Sequence, residues 1–275
     1  MDADLTLVAL GEAHHEPAFG GKAASLAAAL REGLPVPPGA ALGAAFVDRA
    51  AAGDVSAVEA LLGSPHIPDM RLAVRSSAIG EDSADASFAG QHATRLNVRR
   101  AQLLEAVRVV WQSARTESAL AYRARKGLNL SPRMGVVVQA LIEPVAAGVL
   151  FTRNPITGAE ERMIEAAWGL GEAVVNGSVV PDRVRLDPGG RVLEATAGEK
   201  DIKVWYGDED GTIEVPVESS LQRRLCLEPV HFEALHDLAA RCQRVWGRDL
   251  DLEWALDGAG RIFLLQCRPI TTVRA

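Results

Sequence analysis

Leu72-Ala-Val-Arg-Ser-Ser-Ala-Ile-Gly-Glu-Asp-Ser-Ala-Asp-Ala-Ser-Phe-Ala-Gly-Gln-His-Ala-Thr94 begins apolar and turns polar within three residues. Leu72 to Val74 predicts a short strand that delivers Arg75 at its end. Ser76, Ser77, Gly80, Ser83 and Ser87 follow, with Gly90 after Phe88. Small residues let backbone N–H groups come close to an anion, and an arginine beside them adds a rigid fork of donors. A chain can hold a polyphosphate in this way. A polar hairpin carrying a surface arginine has the same composition, so the residues alone leave both readings open.

The rest of the chain narrows the class. Its 275 residues suffice for one large domain or two lobes with a buried core. Hydrophobic residues at 48% and charged residues at 24% are ordinary for a soluble globular protein. A net charge of −7 argues against nucleic acid as the main partner. Cys226, Cys242 and Cys267 are too few and too scattered for a disulfide framework or a zinc site. The acidic start Met1-Asp-Ala-Asp-Leu5 lacks the basic flank of a signal peptide, and no apolar run reaches the length of a membrane span. The expected setting is the reducing cytoplasm.

Upstream of the opening stretch, Ala23, Leu26, Ala27 and Leu30 recur on one helical face. Gly33 can close that helix, and Pro35, Pro37 and Pro38 prevent its continuation. Lys22 falls in its first turn, where unpaired backbone N–H groups favour anions. A solvated lysine is the plainer reading of the same position. This is no P-loop, since Glu16 stands where its first glycine belongs and Ala23 where its Ser or Thr belongs. Residues 39–70 are alanine-rich and predicted helical, with a break at Ser64-Pro-His-Ile-Pro68.

Arg100 to Lys126 predicts one long helix with Leu103, Leu104, Val107, Trp111 and Ala114 on a stripe, Trp111 being a core residue. Gly127 to Pro132 is a turn and the expected boundary between lobes, giving domains 1–130 and 131–275. Gly135 to Ile142 is a β-branched apolar strand, able to pass beside a purine and read its edge with backbone groups. Gly148 to Phe151 predicts another strand. Gly169 and Gly171 suggest a dinucleotide loop, but Val174 stands where the third glycine belongs, so Rossmann binding is rejected. Asp187–Gly190 and Asp208–Gly211 are turns. Glu228 to Trp246 is an amphipathic helix whose His231 and His236 are expected at the surface.

The last stretch is a second chemical centre. Leu250, Leu252, Trp254 and Leu256 alternate with Asp249, Asp251 and Glu253, so Glu253 points off the apolar face. Asp257-Gly-Ala-Gly260 turns the chain back into Arg261–Arg268. Pairing Leu256 with Arg261 sets Glu253 opposite Leu264 and puts Glu253, Gln266 and Arg268 on one face. A carboxylate and an amide oxygen are hard ligands suited to Mg²⁺. A salt-bridged edge hairpin accounts for Glu253 and Arg268 but not for a glutamine between Leu265 and Cys267.

Five stretches, in order, resemble one family. They are Gly20-Gly-Lys-Ala-Ala-Ser-Leu26, the Val74-Arg-Ser-Ser-Ala…Ala86-Ser-Phe-Ala-Gly-Gln91 pattern, Phe151-Thr-Arg-Asn-Pro-Ile-Thr-Gly158, Trp168-Gly-Leu-Gly-Glu-Ala-Val-Val-Asn-Gly177 and Leu265-Gln-Cys-Arg-Pro-Ile-Thr271. The family is the N-terminal ATP-binding domain shared by phosphoenolpyruvate synthase, pyruvate phosphate dikinase and rifampin phosphotransferase. The resemblance implies an α/β (α+β) fold of the ATP-grasp-like, two-lobed kind, with ATP held between the lobes. It places Lys22, Arg75, Gly90 and Thr94 on the ATP side of the first lobe. Gln139 falls at the adenine, Glu253 and Gln266 on Mg²⁺, and Arg268 on phosphate. Lys22, Arg75 and Arg268 would be catalytic.

Enzymes of this family split ATP into AMP and phosphate and pass the β-phosphoryl group to a histidine on a mobile domain. That histidine then phosphorylates pyruvate, an antibiotic or another small acceptor. The family's histidine follows a Thr-Gly-Gly-type stretch, and none of His14, His15, His66, His92, His231 or His236 stands in one. The implied partner is therefore a histidine-bearing domain or protein acting in trans. A self-sufficient ATP-grasp kinase or ligase making ADP is the alternative. A non-catalytic ATP-sensing module fits less well, because both phosphate-binding cations and both metal ligands are retained.

Overall fold

The computed structural model describes residues 6–79, 93–125 and 131–270. They fall into two compact units, Met1–Arg31 with Pro37–Leu141 and Asp208–Gly211, and Glu32–Val36 with Ile142–Gly207 and Thr212–Ala275. The division comes after Leu141, not at residue 130, because the strand after the expected boundary completes the first unit's sheet. Helix and sheet are mixed, as expected from the sequence.

The first unit holds β1 (Leu7–Ala9), α1 (Glu16–Phe19), α2 (Gly21–Arg31), β2 (Gly39–Leu42), α3 (Ala44–Ala52), α4 (Val55–Gly63), β3 (Leu72–Ala78), β4 (Thr94–Val98), α5 (Leu103–Ser113), α6 (Glu117–Arg125) and β5 (Met134–Ala140). Its sheet is ordered β1-β2-β5-β3-β4, every neighbouring pair antiparallel. Leu72, Val74, Val136, Val138 and Leu42 share a core with Phe46, Val47 and Leu61 and with Leu103, Val107 and Val110 of α5. Alternation along a strand therefore sends Ala73, Arg75 and Ser77 to the other face.

Three expectations are corrected in this unit. Gly39–Leu42 is a strand rather than helix, because it is the hydrogen-bonded link between β1 and β5, and tertiary pairing outweighs the helix propensity of alanine. β3 runs on to Ala78, so Arg75 sits in mid-strand rather than at its end. The long helix from Arg100 divides, since Thr116 Oγ1 takes the Ala119 N–H (3.3 Å) and starts α6 afresh. Trp111 is partly buried against the core and carries Arg115 over its ring at 3.9 Å, so it is a stacking platform as well.

The second unit holds β6 (Pro144–Phe151), β7 (Arg162–Trp168), α7 (Glu172–Val175), β8 (Asp182–Leu186), β9 (Val192–Thr196), β10 (Ile202–Tyr206), β11 (Thr212–Pro216), α8 (Pro229–Trp246), β12 (Leu250–Asp257) and β13 (Ile262–Pro269). Its main sheet is ordered β13-β12-β6-β7-β8-β9, and β10 and β11 form a separate ribbon. Leu235, Leu238, Ala239 and Cys242 of α8 are buried, as are Leu250, Leu252, Leu150, Ile164 and Leu264 of the sheet.

Asp182 is a buried hub in this unit. Its carboxylate takes the N–H groups of Gly198 (2.8 Å) and Cys226 (2.7 Å) and pairs with the fully buried Lys200. Burial, with the facing Asp182 charge, pushes the Cys226 thiol far up, so it stays protonated. The two α8 histidines are not the plain surface residues expected. His231 Nδ1 accepts the Glu228 N–H (3.0 Å) in a capping box. His236 is half-buried and bonded to Arg162. Among the described residues, no helix is long and apolar enough to cross a membrane.

Candidate functional site

In the first unit, α2 is seated by its N-terminus on β3. The Ala23 N–H donates to Ser77 Oγ (3.0 Å), and Lys22 Nζ donates to the Ser76 carbonyl (2.8 Å). Gly20 makes this approach possible. Its φ is +82°, and a Cβ there would lie 2.0 Å from the Ser77 carbonyl oxygen. One anion-favouring N–H of the helix start is thus spent on a serine.

Arg75 lies on the same sheet face as Ser77. It pairs with Thr94 of β4 on one side and Val137 of β5 on the other. Directly opposed residues share a face, so Arg75 and Thr94 stand together on the side where α2 is seated. α2, with Lys22 in its first turn, is thus seated on the sheet face that carries Arg75 and Thr94. Gly90 lies outside the described residues, as do Gly80, Ser83 and Ser87.

Gln139 differs from the expectation. It is buried, its Nε2 donates to the Pro37 carbonyl (3.2 Å), and its backbone lies in ladders with both Gly39 and Ala73. Its side chain is consumed in holding the proline segment. The next backbone groups outside the ladders are those beyond Ala140.

In the second unit, the β12–β13 register pairs Asp251 with Arg268 and Glu253 with Gln266, then shifts so that Trp254 meets Leu264. One extra residue, Leu265, stands on β13 at that bulge. The turn also differs from the expectation, since Leu256 pairs with Ile262 rather than Arg261. A bulge inverts the alternation, so Leu264 is buried while Gln266 and Arg268 point with Glu253 off the apolar face. Glu253, Gln266 and Arg268 share a face as expected, but Leu264 is not beside them.

The structure adds Asp251 to that face. Its Oδ2 accepts from Arg268 Nε (2.8 Å) and pairs with Arg268 Nη2 (2.7 Å). Its Oδ1 is buried and has no partner among the described residues. Burial pushes the Asp251 carboxyl above the usual range, Arg268 pulls it back, and the Glu253 charge raises it again. Strand alternation in the sequence already placed Asp251 on the face of Glu253. What the sequence does not print is the opposed Arg268 and the unpaired oxygen.

This donor set fits a hard cation. Carboxylate and amide oxygens are hard ligands of the kind Mg²⁺ takes, and an oxygen left buried without a donor is costly unless something binds it. Elsewhere in the unit, the Thr152-Arg-Asn-Pro-Ile-Thr-Gly158 run is spent on its own turn. Asn154 Oδ1 takes the N–H groups of Ile156 (2.9 Å) and Thr157 (3.0 Å), and Arg153 donates to the Gly158 carbonyl (2.9 Å) and to Asp249 (2.7 Å). A polar cavity of about 230 Å³ beside it is lined by Arg153, Glu160, Glu161, Arg162 and Asp249. These charges bond to neighbours within the unit and do not call for a ligand.

Residues 46–275 match the family model described as pyruvate phosphate dikinase, AMP/ATP-binding domain. A probable phosphoenolpyruvate synthase of Methanothermobacter thermautotrophicus is 43% identical over 209 residues, which are 74% of this chain and 30% of that protein. A rifampicin phosphotransferase of a Streptomyces species is 41% identical over 204 residues, 73% of this chain and 23% of that protein. The chain thus spans under a third of the length of these relatives. Among solved structures, the VanG D-Ala:D-Ser ligase of Enterococcus faecalis aligns at a TM-score of 0.45 and 11% identity, covering 92% of this chain and 54% of that one.

Proposed function

Because the chain belongs to the pyruvate phosphate dikinase AMP/ATP-binding domain family, we propose that it is the ATP-binding component of a dikinase-type phosphotransferase with an ATP-grasp-like fold. It splits ATP to AMP and phosphate and hands the β-phosphoryl group to a histidine on a separate domain or partner. From there the group passes to a small-molecule acceptor. The cytoplasm is the proposed setting, in keeping with three free, buried cysteines.

The observation that carries this reading is the β12–β13 ladder. It sets Asp251 opposite Arg268 and Glu253 opposite Gln266, and among the described residues one buried carboxylate oxygen has no partner. Asp251, Glu253 and Gln266 would hold Mg²⁺. When bound, that ion supplies charge neutralisation on the phosphates. The protein's own part is positioning, which is most of what phosphoryl transfer asks of an enzyme. Asp251 holds the Arg268 fork in place for a phosphate oxygen. Arg75, clamped between β4 and β5, presents its guanidinium from a rigid strand, with Thr94 beside it. Lys22 adds an ammonium whose bond to Ser76 would be exchanged for one to phosphate. Gly90, from the same motif, is assigned to backbone contact with ATP. The purine is assigned to the chain just past Gln139.

Titration calorimetry with ATP, with and without Mg²⁺, tests the binding half. Heat of binding strengthened by the ion is expected, and no heat in either condition would sink the assignment. With a histidine-bearing partner, chromatography of the spent nucleotide should show AMP. Stoichiometric ADP would overturn the dikinase reading in favour of a simple kinase or ligase.

A further inference from the structure

The connection from β5 to β6 passes through Leu141, Ile142 and Glu143. At its start the N–H groups are used, Ala140 at the end of β5 donating to Pro38 (2.8 Å) and Leu141 to Arg71 (2.9 Å). The Ile142 carbonyl accepts from Tyr206 Oη (2.7 Å). The peptide joining Ile142 to Glu143 is planar and trans, so its C=O and N–H point opposite ways. Fixing the carbonyl on Tyr206 therefore fixes the direction of the Glu143 N–H. Among the described residues, no acceptor takes that N–H.

Tyr206 is itself firmly placed. Val204 of the same strand bridges Gly169, and its carbonyl takes the Leu170 N–H (3.0 Å). Gly169 has φ +77°, and a Cβ there would lie 2.6 Å from the Val204 oxygen, so only glycine permits this seat. Thr212 Oγ1, on the strand paired with β10, donates to Glu172 Oε2 (2.9 Å). Trp205 packs against the Tyr206 ring at 4.9 Å. The Trp168-Gly-Leu-Gly-Glu172 stretch is thus explained as the seat of the β10–β11 ribbon, and that ribbon delivers Tyr206 to the Ile142 carbonyl.

We propose that Tyr206 is a positioning residue for base selection, aiming the Glu143 N–H at a purine ring nitrogen so that adenine is preferred to guanine. Adenine N1 accepts a hydrogen bond, whereas guanine N1 carries a proton. A fixed donor therefore welcomes the first and opposes the second. The inference rests on the nucleotide reading above and names what selects the base.

The experiment is Tyr206→Phe, which removes one hydroxyl and keeps the ring. ATP and GTP are titrated with Mg²⁺ against parent and variant by calorimetry, with thermal melts to confirm folding. ATP should bind more weakly by roughly three- to tenfold, the worth of one hydrogen bond. GTP should change by less than about twofold on the same scale, so the preference narrows. Uptake of neither nucleotide by the parent would defeat the nucleotide reading itself. Binding of ATP by the parent with a preference that survives in the variant would overturn only the role of Tyr206. So would equal weakening of both nucleotides, the mark of a merely structural contact, or a parent without preference.

Discussion

Asp251→Asn separates the metal reading of the last hairpin from a structural one. The change keeps an oxygen able to accept from Arg268 but removes the charge and puts an NH₂ on one side. Charged hydrogen bonds contribute about 1.5–3 kcal/mol, and Oδ2 takes two contacts from Arg268. Two effects oppose that loss. Burial already disfavours the Asp251 carboxylate, and the Glu253 charge adds to the penalty, so a neutral side chain escapes both. Arg268 is 34% exposed and can turn to water when its partner weakens. Folding stability should therefore move by no more than about 1 kcal/mol in either direction. The metal should suffer more, since losing a carboxylate ought to weaken Mg²⁺ by at least about tenfold, the smaller effect seen even for outer-shell partners. Urea melts give the first quantity, and ATP-binding calorimetry across a Mg²⁺ series gives the second. A Mg²⁺ profile superimposable on the parent's, with stability lowered by about 3 kcal/mol or more, would refute the reasoning and make Asp251 a purely structural partner.

Arg75→Ala should cost on the order of 3 kcal/mol in transition-state stabilisation, about a hundredfold in rate. Extra Mg²⁺ should not restore phosphoryl transfer, because no free cation reproduces a fork held between two strands; recovery at high Mg²⁺ would count against it. Lys200→Met leaves Asp182 buried with two backbone N–H donors but no cation. It should destabilise the chain by about 3 kcal/mol in chemical denaturation, and a loss under about 1 kcal/mol would show the pair contributes little. Burial, then the Arg162 charge, lowers the His236 pKa, while Asp237 and Asp187 pull it up. The unfolded chain then binds the proton more readily, so this contribution is complete above the ordinary value of 6.5 and is lost as pH falls through the folded value. Stability measured from pH 7 down to pH 5 should fall less steeply in His236→Gln, and identical slopes would exclude the effect.

The parts legible in the sequence were those written in local chemistry. Glu253, Gln266 and Arg268 were readable because alternation and a turn put hard ligands on one face. The α8 stripe was readable because its apolar residues recur at helical spacing. Arg75 is legible, but its strand reads short, since Ser76 and Ser77 look like loop residues. Only the pairing with Val136 and Gly135 makes them strand. Gly39–Leu42 was hidden for the converse reason, because alanine reads as helix until partners on both edges are known. Asp251 was visible as one of an alternating set. Its unpaired oxygen and its hold on Arg268 depend on long-range register, which no local pattern carries.

That register also shows why the right face came from the wrong pairing. Starting from Leu256 opposite Arg261, simple alternation sets Glu253 opposite Leu264; the observed partner is Gln266, two residues further on. One residue of that difference comes from the turn and one from the bulge at Leu265. Two single-residue slips restore parity, because side chains alternate with a period of two. Between the slips, parity is inverted, and there Trp254 and Leu264 pair inside the core, 1% and 0% exposed. The bulge thus lets one strand serve both needs. Its first half packs an apolar side chain against Trp254, and its second half sends Gln266 and Arg268 out to meet Glu253 and Asp251.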